Sequence, residues 1–439
     1  MRLGRFLAAV VMAMVLSLPA GMASALPVTT SAGNPTIVVG VIATLSGPLA
    51  MAGQDSVDGF TTAMRQLGGR FANQEVRVVV VDDKGSPDTA VQVTRRLLER
   101  EKVDFVLTAV SRAAMAAIVR PLADARVFVL NLDAAPAALM GPECGPWLFE
   151  LGTPPDAIDE AAGVYFSAEK LRRIVVVGPD SAVTRAAVAA VKRTWNGEVA
   201  AVLKPRHGAT VFADEIARIR ALAPDAVLTV LTGGMGGAFV RDYAAAGLKA
   251  DIPLVGRWTG FERPLLAAMA DQSLDVLNVA PWSPDLDTPL NKRLNTDFEI
   301  EYGRPVTTWV AQGYDAGLLL DSAMKVTGGR TGDRDAVRRA LRRAEFASVR
   351  GPFRFDTNHA PSLNLYMRRV VRDAKGRLNQ ELRGVLVRDW HGRDVASCPM
   401  RWVEEPTPPP GATTAKPAAT PAKPKPSAKP GTAPPRPAQ

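Results

Sequence analysis

A few residue patterns in this 439-residue chain could support chemistry, and each can be tested against the spacing its chemistry needs. The glycine-rich run LTGGMGGAF, residues 231–239, follows an apolar β-branched stretch, as a dinucleotide-binding turn would. That fingerprint is G-x-G-x-x-G, and a match on Gly234 and Gly236 requires glycine at 239, where Phe239 stands. The run therefore predicts a tight strand-to-helix turn. No G-x-x-x-x-G-K-[ST] loop and no G-x-S-x-G elbow occurs, so the phosphate cradle and the serine nucleophile turn are both missing. The three histidines, His207, His359 and His391, have no second histidine or cysteine at metal-ligand spacing. Asp82 and Asp83 form a carboxylate pair in sequence, but neighbours on an extended chain point to opposite sides, so a turn-capping role is expected. These patterns predict no catalytic residue, no metal site and no cofactor.

The elements that carry these residues alternate regularly. Apolar runs at 36–43, 75–81, 103–108 and 127–130 read as buried strands, with amphipathic helices at 49–67, 88–100 and 111–123 between them. After the Thr153-Pro154-Pro155 break a second series begins, with strands at 173–177, 199–203, 226–230 and 253–255 and helices at 183–193, 211–222 and 237–246. Strand-helix-strand repetition of this kind predicts parallel sheets flanked by helices, hence an α/β fold of two Rossmann-like lobes. Past residues 274–279 the order changes to helices at 292–302, 309–326 and 335–343, then extended runs at 351–355, 363–371 and 381–390. The expected organisation is lobe 1 over 26–153, lobe 2 over 154–280, a return to lobe 1 over 281–345, and the end of lobe 2 with the hinge over 346–403. Open parallel sheets bind ligands beyond the carboxyl ends of their strands, so the cleft walls are expected at 45–53, 109–113, 131–136, 178–184, 231–237 and 256–261.

The two ends differ from this middle. The start, MRLGRFLAAVVMAMVLSLPAGMASALPV, has two arginines, an apolar run and a small-x-small site, and predicts a signal peptide over 1–25, cleaved after Ala25. Residues 404–439 are rich in Pro, Lys and Ala, with twelve prolines from 406 onward, and predict a disordered tail. Of the net charge of +9, two charges sit at Arg2 and Arg5 and five at Lys416, Lys423, Lys425, Lys429 and Arg436, which leaves +2 for the rest. A nearly neutral body argues against nucleic acid as a partner. Export permits a disulfide between the two cysteines, Cys144 and Cys398, with two separate thiols as the alternative.

Four stretches, taken in order, carry a resemblance. IVVGVIATLSGPLAMAGQDSVDGFTTAM (37–64), VVVVDDKGSPDTAVQVTRRLLEREKVDFVLTAVS (78–111), AAAGLKADIPLVG (244–256) and QGYDAGLLLDSAM (312–324) resemble type I periplasmic solute-binding proteins of the Leu/Ile/Val-binding family, over roughly residues 36–395. The resemblance implies a multi-crossover hinge between the lobes, closure on a small solute, an ABC permease in the inner membrane as partner, a periplasmic monomer and no catalysis. Aligned without gaps, the family's pocket falls on Ala52, Ser111, Ala113, Ala134, Val183, Thr232 and Trp258. Ala113 and Ala134 stand where amino-acid binders place carboxylate-holding hydroxyls, and Trp258 falls near their ammonium-binding acid. Arg112 is then a candidate carboxylate partner, Asp133 a candidate acceptor and Trp258 a stacking surface, while an Arg112–Asp133 salt bridge and interface packing of Trp258 are the structural alternatives. The solute is expected to be an amino acid or another small carboxylate. A sensor for an aromatic or short aliphatic acid, an enzyme on the same scaffold and an envelope protein using its basic tail are the competing readings.

Overall fold

The computed structural model describes residues 36–401. The signal peptide expected over 1–25 and the tail expected over 404–439 lie outside the described residues. The chain first lays down β1 (Ile37–Ala43), α1 (Ala50–Gln66), β2 (Arg70–Phe71), β3 (Gln74–Asp82), α2 (Pro87–Arg96), β4 (Phe105–Ala109), α3 (Arg112–Asp124), β5 (Phe128–Asn131), α4 (Ala137–Met140) and β6 (Leu148–Glu150). Their strands form a six-stranded sheet in the order β2-β3-β1-β4-β5-β6, parallel except for the short β2. Central strands such as β1, IVVGVIA, are covered on both faces, so they read as unbroken apolar runs rather than alternating ones.

The second series is α5 (Pro155–Ala168), β7 (Arg173–Val177), α6 (Ala182–Thr194), β8 (Glu198–Leu203), α7 (Ala213–Leu222), β9 (Ala226–Thr229), α8 (Gly233–Ala245), β10 (Leu254–Arg257), α9 (Arg263–Met269) and β11 (Leu277–Ala280). Then come α10 (Pro289–Tyr302), α11 (Thr308–Thr327) and α12 (Arg334–Arg343), followed by β12 (Phe353–Phe355), β13 (Pro361–Arg372) and β14 (Leu378–Trp390). The second sheet has eight strands, with β13 antiparallel to β11, β12 and β14. Helix α11 packs against α1 of the first lobe. Glycines permit that crossing, since a side chain at Gly59 would strike the Val310 carbonyl and one at Gly313 the Ser56 carbonyl. The glycine run at 233–237 makes up the first turns of α8, so that helix begins four residues before the amphipathic pattern shows it.

Three crossovers join the lobes, at residues 151–154, 281–288 and 344–352, and buried arginines hold them. Arg350 donates from Nε to Asp315 at 2.7 Å and from Nη1 to the Leu151 carbonyl at 2.8 Å, tying the third crossover to α11 and to the first. Arg368 donates to Asn278, to the Trp282 carbonyl of the second crossover and to Glu262. Glu262 in turn accepts from the Thr308 amide and hydroxyl, reaching across from lobe 2 to lobe 1. Burial pushes the Asp315 carboxyl upward, against the pull of Arg350. Breaking such a buried pair on one side would leave an uncompensated charge, at a cost of about 3–5 kcal/mol.

Beyond β14 the chain turns back toward lobe 1 as a strap. Cys398, at its end, is joined by a disulfide to Cys144, in the segment between α4 and β6. Asp82 and Asp83 accept from turn groups: Asp82 from the Leu45 and Lys84 amides, Asp83 from the Thr44 hydroxyl and the Gly85 amide.

Candidate functional site

The carboxyl ends of the two sheets face each other across a cavity of about 200 Å³. Lobe 1 contributes Arg112 and Ala134, lobe 2 contributes Val183 and Arg257, and the first crossover adds Pro154 and Pro155. Each lies at or beyond the carboxyl end of a strand, as the open-sheet rule requires. A much smaller void of about 20 Å³ takes in Ala52 and Asp133 beside Trp309.

The helix that presents Arg112 is fixed by its cap. Ser111 accepts from the Ala114 amide at 3.2 Å, so its hydroxyl is committed to starting α3. Arg112 and Ala113 follow in the first turn, where the helix dipole favours an anion. The Arg112 guanidinium has no hydrogen bond and no ion pair among the described residues, and the Arg112–Asp133 salt bridge does not form. Arg257 is committed elsewhere: it grips Asp159 through two bonds of 2.9 and 2.5 Å, both side chains largely buried.

Carboxyl groups in the cleft wall titrate abnormally. Burial pushes Glu150 up to about 8, although it accepts from the Asn131 side chain and from the Ala135 and Gly152 amides. Asp133 is also raised by burial, against the Ala134 amide and the Arg112 charge, which pull it down. A solute entering here meets the guanidinium groups of Arg112 and Arg393, neither in a hydrogen bond or ion pair among the described residues, together with protonatable acids and a largely apolar wall.

Several candidates read from the sequence meet here and others do not. Arg112, Ala134 and Val183 line the main cavity, and Ala52 and Asp133 the small one. Thr232 faces a separate cavity of about 670 Å³ in lobe 2, beside His207 and Arg241, where it starts α8 without a side-chain cap bond. Trp258 is buried against Trp309, ring centroids 4.8 Å apart and tilted by 61°, so it packs across the lobes and its face is covered. Sequence reasoning missed Glu150, Arg257, Trp309 and Trp390. Arg257 adjoins Trp258 in GRWTG, but its partner Asp159 lies 98 residues away and gives no local signal.

A family model described as periplasmic binding protein matches residues 36–377. The chain is 23% identical over 359 residues to a Leu/Ile/Val-binding protein homolog of Brucella melitensis, covering 77% of this chain and 89% of the relative. An ABC transporter solute-binding protein from R. palustris, solved in complex with benzoate, is 27% identical with a TM-score of 0.72, covering 82% of this chain and 99% of that one. A branched-chain amino acid transporter substrate-binding protein from Streptococcus pneumoniae, solved with isoleucine, shares the fold at 22% identity and a TM-score of 0.68, covering 79% and 99%. These relatives are solute-binding proteins rather than enzymes. Two sheets facing across a cleft, a three-strand hinge and a family match over most of its length make this chain a member of the periplasmic binding protein family, of the ABC transporter type.

Proposed function

We propose that this protein is the exported substrate-binding component of an ABC importer of the branched-chain amino acid type, and that its solute is a small carboxylate held between the lobes. The observation that carries this reading is the Arg112 guanidinium, which borders the interlobe cavity in the first turn of α3 with no partner among the described residues. A guanidinium matches a carboxylate with two parallel bonds, and the helix start adds its own positive end. Alanines at 113 and 134 cannot replace the hydroxyls that would hold an α-amino acid carboxylate, so the carboxylate contact shifts to Arg112. Glu150, raised by burial and already accepting from the Asn131 side chain and the Ala135 and Gly152 amides, offers a poor seat for an ammonium group, which favours an acid over a zwitterion. The function calls for a monomer in the periplasm, working with an inner-membrane permease and without nucleic acid or cofactor.

Thermal unfolding of the purified protein against branched-chain amino acids, aromatic acids and short aliphatic acids tests the reading. A solute at a hundred times its Kd adds about 2.7 kcal/mol of stability. Arg112→Ala is expected to weaken the binding acid roughly 10- to 100-fold, the value of a lost charged hydrogen-bond pair. Stabilisation by leucine or valine that survives Arg112→Ala refutes it.

A further inference from the structure

Besides the three crossovers the lobes share a fourth link, and this one is closed by a disulfide. The strap leaves lobe 2 at Trp390, the last residue of β14. Trp390 is anchored there: it belongs to the same apolar cluster as Ala161, Phe166 and Val176, and its Nε1 donates to Glu160 of α5 at 2.7 Å. Glu160 is held in turn by Arg193 of α6 at 2.5 Å. At the other end Cys398 is bonded to Cys144 of lobe 1, with Cα atoms 5.6 Å apart. Between the anchors run residues 391–397, of which Arg393–Ser397 are wound into a 3₁₀ turn. That turn packs on α4, and a side chain at Gly141 would strike the Ser397 hydroxyl. Gly392, Arg393 and Asp394 border the interlobe cavity. The strap has one source of slack. A 3₁₀ turn rises about 2.0 Å per residue and an extended chain about 3.4 Å, so unwinding the turn yields about 7 Å. Past that extension covalent bonds resist, whereas the crossovers by themselves let the lobes rotate through backbone torsions.

We propose that the Cys144–Cys398 disulfide is a tether across the cleft, which caps the opening of the two lobes and holds the strap in place as one wall of the cavity. The inference rests on the two-lobed architecture and not on the identity of the solute. Its consequence for binding follows from population arithmetic, since the apparent Kd is the intrinsic Kd divided by the fraction of molecules in the binding-competent state. A tether that removes widely opened conformers raises that fraction and so tightens binding without touching the solute. A disulfide that merely stabilised the chain would shift the unfolding midpoint and leave the separation of the lobes alone.

The test measures lobe separation in the solute-free full chain by double electron–electron resonance. Spin labels are carried on p-acetylphenylalanine in place of Glu143, beside the bridge in lobe 1, and Ala189, on α6 of lobe 2. Both positions are exposed, and the chemistry adds no cysteine that could disturb the disulfide. Two variants release the tether in different ways. Cys144→Ala with Cys398→Ala removes the bond, while Gly-Ser-Gly-Ser inserted between Gly392 and Arg393 keeps the bond and adds up to about 13 Å of reach. In both, the long-distance edge of the distribution is expected to move outward by several ångströms relative to the oxidised wild type. The insertion variant keeps its cross-link, so it decides the matter if the double variant does not fold. An unchanged distribution in the insertion variant overturns the inference, because the three crossovers then set the opening. Movement in the insertion variant that is absent from a folded double variant also overturns it, because the covalent bond is then not what limits the strap. None of these outcomes depends on which solute binds; the acid reading of the cleft fails separately, in the Arg112→Ala comparison.

Discussion

Replacing Cys144 and Cys398 together by alanine tests what the strap contributes. The bridge closes a loop spanning 254 residues, and in the chain-entropy description a closure of that length removes about 5 kcal/mol of freedom from the unfolded chain. Cys398 is 1% exposed and Cys144 9%, so alanine keeps both sites apolar and adds no buried hydroxyl. The assay is urea unfolding followed by tryptophan fluorescence, on the oxidised wild type, the reduced wild type and the double variant. For a chain of this size a loss of about 5 kcal/mol lowers the midpoint by roughly 1–2 M. Reduced wild type and double variant should coincide, because both lack the same constraint. Midpoints within about 0.3 M of the oxidised protein would refute the reasoning and show that strap packing, not the covalent closure, holds the C-terminal end of the fold.

Glu150, ordinarily near 4.5 and pushed up to about 8, holds a proton in the native state that the unfolded chain has released. Its contribution is fully present below about 4.5 and declines as the pH rises toward 8, so Glu150→Gln should remove that decline from a plot of unfolding free energy against pH; an unchanged slope contradicts it. Asp159→Ala strands the buried Arg257 guanidinium and should cost about 3–5 kcal/mol by denaturant unfolding, whereas a loss below 1 kcal/mol would mean that Arg257 reaches water. Gly313→Val drives a branched side chain into the Ser56 carbonyl and should separate α1 from α11, seen as a drop in thermal midpoint of several degrees; an unchanged midpoint would show that the crossing has slack.

The strands and helices of this protein were legible because parallel strands buried on both faces are continuous apolar runs, and β7 at Arg173–Val177 coincides with its run residue for residue. Helix α5 was not read, because its small and acidic residues, PDAIDEAAGVYFSA, show little amphipathic contrast: Asp159 and Glu160 are buried on ion pairs that only the fold reveals. The cleft loops could be located from the sheet rule, and Arg112, Ala134 and Val183 do share one cavity. Trp390 could not be found this way, since it reaches the cleft from the last strand, 230 residues from the Glu160 that orients it. For Trp258 the sequence left stacking and interface packing both open, and the structure has it packed on Trp309, which arrives from a helix of the other lobe.

The interleaved path of the chain also sets an order of assembly. Helix α1, within the first 66 residues, is roofed by α11, which is not made until residue 327, and the second sheet waits for β13 and β14 beyond residue 360. Neither lobe can finish while the chain is still emerging from its N-terminal end, so long-range pairing dominates and folding should be slow, with apolar faces left bare in the interval. Cys398 lies close to the last described residue, and its partner waits in lobe 1. Oxidation can therefore begin only once residue 398 has been made, after every strand of both sheets has left the ribosome.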